Sequence, residues 1–210
     1  MTNPADTGPT QPLAPLILVV GPSGAGKDTL IEGARRALAG DGSLSFARRV
    51  VTRDAQAGAE DHDVLSPEDF AEAERTGAFL LSWRAHGLGY GIPASVQAQR
   101  RAGVAVVANV SRTVIADARR RQAPVRVVVV TAPPQLLAAR LAGRGRESAA
   151  DILARLRRAE EFLPAGPDVQ TVVNDASPED GIRAFVAVID RIKSGPEGPY
   201  GTVARRRVAQ

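Results

Sequence analysis

Apolar positions follow two rhythms along this chain. Residues 16–20, 104–108 and 125–130 are short runs dominated by Val, Ile, Leu and Ala, as expected of strands buried on both faces. Residues 44–52, 79–84 and 169–174 read as further strands. Between them, residues 27–38 and 177–192 place apolar side chains three and four apart, the period of an amphipathic helix. Ser66-Pro67 and Ser177-Pro178 each put a capping hydroxyl before a proline, so helices are expected to about residue 76 and about residue 192. A helix is expected from Pro93 to the stop at Gly103, another over 134–141, and another from Ser148 to about 162. Residues 53–63 read as a polar loop and 86–91 as a glycine-punctuated turn. Strands alternating with helices predict an α/β fold, a parallel sheet flanked by helices.

Length changes the picture little: 210 residues fit one domain with a real core. We place it at 15–193, with an acceptor region at about 44–92 and a lid at about 140–150. A Pro- and Thr-rich leader (1–14) and a basic tail (194–210) are expected to lie outside it. The leader lacks the basic start and apolar stretch of a signal peptide, and no run approaches the ~20 residues that span a bilayer. Cysteine is absent, which removes disulfides and thiolate metal sites and makes the cytoplasm the default address. The net charge is +4 and Lys27 and Lys193 are the only lysines, so arginine carries the positive charge. Arg205-Arg206-Arg207 reads as a solvated tail, not a nucleic-acid contact. No membrane or nucleic-acid partner is expected, and either a monomer or a homodimer fits.

The chemistry is concentrated after the first strand, in Gly21-Pro22-Ser23-Gly24-Ala25-Gly26-Lys27-Asp28-Thr29. A glycine-rich turn between strand and helix lets backbone N–H groups converge on phosphate, with Lys27 on the β- and γ-phosphates. This P-loop implies ATP, with Mg²⁺. The loop usually ends in Lys-Ser or Lys-Thr, whose hydroxyl serves the ion; here Asp28 stands there. Either Asp28 binds Mg²⁺, directly or through water, or it caps the helix. The strand 104–108 ends in neutral Asn109 where P-loop kinases carry an acidic residue. We therefore expect the metal-site carboxylate to have moved from the strand end to the loop.

From residue 16 to about 192 the chain resembles the guanylate kinases, through the P-loop, Thr52-Arg53, His86-Gly87 with Tyr90-Gly91, the arginine-rich 140–148 and Val172-Val173-Asn174-Asp175. The resemblance implies a P-loop NTPase fold with an acceptor-binding insertion and an Arg-rich lid. It departs from those enzymes at the acceptor site. Leu81 stands where guanylate kinases read guanine with a Glu, Gly89-Tyr90 replaces paired tyrosines, and Gln56 replaces a second phosphate-binding Arg. A buried guanine donor left unpaired costs about 1–3 kcal/mol, so guanine selectivity is expected to be lost. Arg48–Arg53, Glu60-Asp61-His62, Leu81–Gly91 and Asn109-Val110-Ser111-Arg112 are instead similar to the ribose 1,5-bisphosphate phosphokinases of phosphonate breakdown. That resemblance implies transfer of the ATP γ-phosphoryl to the 1-phosphate of a sugar bisphosphate, giving phosphoribosyl diphosphate.

It also implies roles. Lys27, Arg140 and Arg144 carry the transfer, with Arg146 beside them in the lid. Arg49, Arg53, Tyr90, Asn109, Ser111 and Arg112 hold the acceptor, and Ser111 equally suits a helix N-cap. The acidic stretch 60–63 either holds ribose hydroxyls, bridges to Mg²⁺ or is a solvated connection. Trp83 reads as core or as a wall of the sugar pocket, His86 as a structural hydrogen bonder rather than a catalyst, and Asn174 as a neighbour of adenine. The rival readings are a guanylate kinase of altered selectivity, a non-catalytic binding module, and a kinase acting on a hydroxyl with Asp61 or Asp63 as base.

Overall fold

The structure is a computed structural model and describes residues 12–52, 62–142 and 164–194. In chain order the elements are β1 (Leu16–Val20), α1 (Lys27–Ala37), β2 (Leu44–Phe46), β3 (Arg49–Val51), β4 (His62–Val64), α2 (Pro67–Arg75), β5 (Phe79–Ala85) and β6 (Leu88–Pro93). Then come α3 (Val96–Arg101), β7 (Ala105–Asn109), a 3₁₀ turn (Arg112–Val114), α4 (Ile115–Arg121), β8 (Val125–Thr131), α5 (Pro134–Ala142), β9 (Val169–Val173) and α6 (Pro178–Lys193). No described helix is long and apolar enough to cross a membrane.

Two sheets organise these strands. The first runs β2-β7-β1-β8-β9 and is parallel throughout. Its strands bury alternate residues on opposite faces, which is why they read as unbroken apolar runs. Ile17, Val19, Val128 and Val130 join a cluster with Leu30 of α1, Leu137 of α5 and Phe185 and Ile189 of α6. Leu16, Leu18, Val127 and Val129 join a second cluster with Ile115 of α4 and with Leu81, Trp83 and Ile92 of the other sheet. That other sheet runs β4-β3-β6-β5 and is antiparallel except where β3 meets β4.

Several expectations are corrected. Residues 44–52 are not one strand: the chain steps at Ala47-Arg48 from the edge of the first sheet into the second. His62 and Asp63, read as loop, begin β4, where Arg49 pairs with His62 and Val50 with Asp63. Residues 86–91 are a hairpin tip and a strand, and Pro93 ends that strand instead of opening a helix. Ala14, assigned to the leader, is fully buried and its N–H donates to the Arg100 carbonyl at 3.0 Å. The helix expected at 148–162, most of the lid and the basic tail lie outside the described residues.

Two polar features hold distant parts of the chain together. Arg100 is completely buried and donates to the carbonyls of Ala14 (2.9 Å), Gln122 (2.6 Å) and Pro124 (3.2 Å), and to Gln97 Oε1 (2.9 Å). Desolvation pushes its pKa below the usual guanidinium value. At the far end of the chain Lys193 of α6 pairs with Asp41, which follows α1.

Candidate active site

The P-loop links β1 to α1, at the carboxyl end of the central strand, where open α/β sheets place their ligands. Its backbone leaves no room for side chains at two glycines. A Cβ on Gly21 (φ +151) would stand 2.0 Å from the Val130 carbonyl oxygen, and one on Gly26 (φ +87) would stand 2.4 Å from Asn174 Nδ2. Gly26 is the N-cap of α1 and supplies no side-chain cap. Lys27 Nζ donates to the carbonyls of Gly21 (2.9 Å) and Pro22 (3.1 Å), so the ammonium lies over the loop. Beneath it, Asn174 Nδ2 donates to the Ala25 carbonyl at 2.8 Å. Asn174 is thus a buried brace under the loop.

Asp28 sits in the first turn of α1, and β7 runs beside β1 with Asn109 opposite Val19. This brings the two departures from the usual P-loop pattern into contact: Asn109 Nδ2 donates to Asp28 Oδ1 at 2.8 Å. The carboxylate takes that amide in place of a helix-capping bond. An aspartate at position 109 would set two carboxylates against each other, so the neutral residue and the acidic one are matched. Asn109 is 7% exposed, and its Oδ1 is buried with no partner among the described residues. Among the described residues no three His, Cys, Asp or Glu side chains come together.

A cleft of about 320 Å³ opens between the loop and the second sheet. Gly21, Ser23, Gly24, Gly26, Lys27, Asp28 and Thr29 line one side; Arg49, Tyr90, Asn109 and Ser111 line the other, with Trp83 and His86. Trp83 and Tyr90 are directly opposed on β5 and β6 and stack with centroids 5.5 Å apart. Arg49 lies over the Tyr90 ring at 5.6 Å and its Nη1 approaches the Asn109 carbonyl at 3.4 Å. One guanidinium is therefore fixed beside the strand end that holds Asp28.

The remaining candidates divide. Ser111 lines the cleft and caps the 3₁₀ turn, its Oγ accepting from Thr113 N at 3.3 Å. Arg112 is exposed on the adjoining turn and is not in the cleft wall. Pro22 and Ala25 shape the loop but do not line the cleft, and Ala25 is core. Arg140 on α5 reaches back to the Gly24 carbonyl at 3.4 Å. Asp63 is ion-paired with Arg48 at 2.9 Å and stands outside the cleft wall, so it does not serve as the base of a hydroxyl kinase there. Leu81 faces the core at 2% exposure and does not line the cleft. Trp83 is both core and wall. Arg53, Glu60, Asp61, Arg144 and Arg146 lie outside the described residues. Sequence reasoning missed the bracing role of Asn174 and the place of His86 in the cleft wall; only the turn glycine beside His86 hinted at a hairpin tip.

Comparison with known proteins agrees with this geometry. A family model described as an AAA domain matches residues 17–162. A protein of Acidiphilium cryptum named ribose 1,5-bisphosphate phosphokinase PhnN is 51% identical over 181 residues, covering 86% of this chain and 95% of that protein. One of the same name from Brucella melitensis is 47% identical over 170 residues, covering 81% and 88%. A crystal structure of guanylate kinase from Anaplasma phagocytophilum superimposes with a TM-score of 0.57 at 16% identity, over 85% of each chain, and shows the shared fold. With relatives this similar over nearly their whole length, the chain belongs to the ribose 1,5-bisphosphate phosphokinase family, a P-loop kinase family on a guanylate-kinase-like fold.

Proposed function

We propose that the cleft transfers the γ-phosphoryl of ATP to the 1-phosphate of ribose 1,5-bisphosphate, giving 5-phosphoribosyl 1-diphosphate. The observation that carries this reading is the polarity of the cleft wall. It offers phosphate donors on both sides, and among the described residues its only carboxylate is Asp28, which is held by Asn109. A phosphate acceptor has its second pKa near 6 and is largely ionised at neutral pH, so no base is required. Catalysis is then positioning and charge neutralisation.

In this reading the loop amides, with Lys27, cradle the triphosphate. Arg49 and Tyr90 hold the acceptor, Ser111 adds a hydroxyl at the strand end, and Arg140 and Arg144 close on the transferring group. Arg53 and Arg112 are assigned to acceptor phosphates. Asp28 would hold Mg²⁺, an ion that accepts one or two carboxylates and otherwise keeps phosphate and water oxygens. The unpartnered Oδ1 of Asn109 suits an ion that retains its water, because a bound water is a hydrogen-bond donor. When bound, the ion neutralises charge on the β- and γ-phosphates.

The test offers purified protein Mg-ATP with ribose 1,5-bisphosphate, with GMP, or with neither, and follows ADP and phosphoribosyl diphosphate. Phosphoribosyl diphosphate from the first mixture alone is expected. ADP formed with GMP but not with the bisphosphate would establish a nucleotide kinase instead.

A further inference from the structure

We infer that His86 is a substrate-contacting residue whose imidazole N–H donates to a phosphate oxygen of the bound acceptor, which rests on the acceptor being the sugar bisphosphate above. The backbone raises the question. His86 and Gly87 alone join β5 to β6, with Ala85 opposite Leu88. Both have positive φ, 53° at His86 and 76° at Gly87. Positive φ at both central residues marks the two-residue type I′ hairpin, which is filled most readily by Asn-Gly, Asp-Gly or Gly-Gly. His86 is the only non-glycine residue with positive φ among those described. Histidine enters this region more readily than most residues, but a turn that had only to reverse the chain would be better served by asparagine or glycine. Its presence is explained by what the ring does.

Among the described residues the ring has no partner. No described group hydrogen-bonds the imidazole, so no described partner supports its reading as a structural hydrogen bonder. The residue is exposed and lines the cleft shared with Lys27 and the P-loop. It is carried by the same hairpin as Trp83 and Tyr90, on which Arg49 lies. That hairpin is the acceptor side, since the loop amides and Lys27 are committed to the nucleotide. The acceptor brings two phosphate groups, and Arg49 is the only described arginine in the cleft wall. A further N–H donor on this side adds to the cations assigned to those phosphates, and imidazole presents one whichever nitrogen carries the proton. The rim of the cleft, where His86 is exposed, leaves the ring free to reach the ligand.

The experiment compares wild type, His86→Gly and His86→Asn. Steady-state kinetics are run with ribose 1,5-bisphosphate. Calorimetry then measures binding of that bisphosphate alone and of ADP alone, and thermal unfolding is recorded for each protein. Both substitutions suit the turn, so Tm should be unchanged or higher. Losing a hydrogen bond to a charged group should weaken bisphosphate affinity and raise its KM roughly tenfold to a hundredfold. The values of kcat and ADP affinity should stay within about twofold, the pattern of a contact made equally in ground and transition states. An unchanged bisphosphate affinity in His86→Gly overturns the inference, as does a loss confined to ADP or a fall in Tm of both variants without a change in KM. Wild-type protein that binds the bisphosphate without turning it over refutes the reaction and still reads the His86 contact. Wild-type protein that does not bind it refutes both.

Discussion

Asp28 and Asn109 each break a pattern alone and make sense as a pair. The loop position normally given to a hydroxyl carries the charge, and the strand end normally given to a carboxylate carries an amide that donates to it. One negative charge is kept at the phosphate end, in a different place. Exchange between the two positions should therefore be tolerated better than simple loss. Asp28→Ser is expected to weaken Mg²⁺ affinity about tenfold or more, within the range seen when groups around a metal are altered. Asp28→Ser with Asn109→Asp should recover most of it, measured by direct titration of Mn²⁺ or Mg²⁺ in the presence of ADP. A double variant as weak as the single one would show that the two sites do not trade charge. Beside this pair, Asn174 carries the same lesson in a different role. A polar residue at a strand end marks the site in sequence, but only packing shows that its amide points under the loop, toward the Ala25 carbonyl.

At the scale of elements, Arg100 decides how α3 meets the strands around it. Its fork satisfies three carbonyls from separate segments, before β1 and between α4 and β8. Arg100→Leu would leave the Ala14 and Gln122 carbonyls without that donor, while Pro124 keeps the Leu16 N–H, and at roughly 1 kcal/mol or more each the loss is expected to reach about 2 kcal/mol. Arg100→Lys keeps the charge but not the fork, and should also destabilise. Chemical denaturation measures both, and a loss below about 1 kcal/mol for leucine would show that these bonds are replaced by water or by relaxation. Nothing in the sequence singled this arginine out from its neighbours. What was legible there was local: the apolar runs of β1, β7 and β8, the glycine-rich turn, and the Ser-Pro starts of α2 and α6. What was not legible depended on partners far along the chain. Three-residue β4 exists because it pairs with β3, and Pro93 stays extended because Phe79 lies opposite it in β5. Residues 44–52 carry one continuous strand-like pattern, yet belong to two sheets.

For the whole molecule, the ion pair between Asp41 and Lys193 ties the loop after α1 to α6. The bond from Lys193, followed by those from Ser43, lowers the Asp41 carboxyl from 3.8 to about 2. A depressed folded-state pKa means the contribution is complete above the unfolded value and disappears as pH falls toward the folded one. Asp41→Asn should therefore cost about 1 kcal/mol at neutral pH, limited by the partial exposure of the pair. The difference from wild type should shrink between about pH 4 and pH 2, read from denaturation midpoints across that range. A difference independent of pH would assign the effect to the turn around Asp41 and not to the charge. The step at Ala47-Arg48 has a consequence of another kind. Among the described residues the chain leaves the nucleotide-binding sheet there and rejoins it after α3, so β3 to β6 form one cassette. On the proposed assignment this cassette carries Arg49 and Tyr90 of the acceptor side. A lineage can therefore retune what is phosphorylated there, with Ser111 and Arg112 beyond β7 adjusted separately, while the loop that delivers the phosphoryl group is inherited intact. Its freedom ends at the inner row of Leu81, Trp83 and Ile92, which shares a buried cluster with β1 and must travel with any graft.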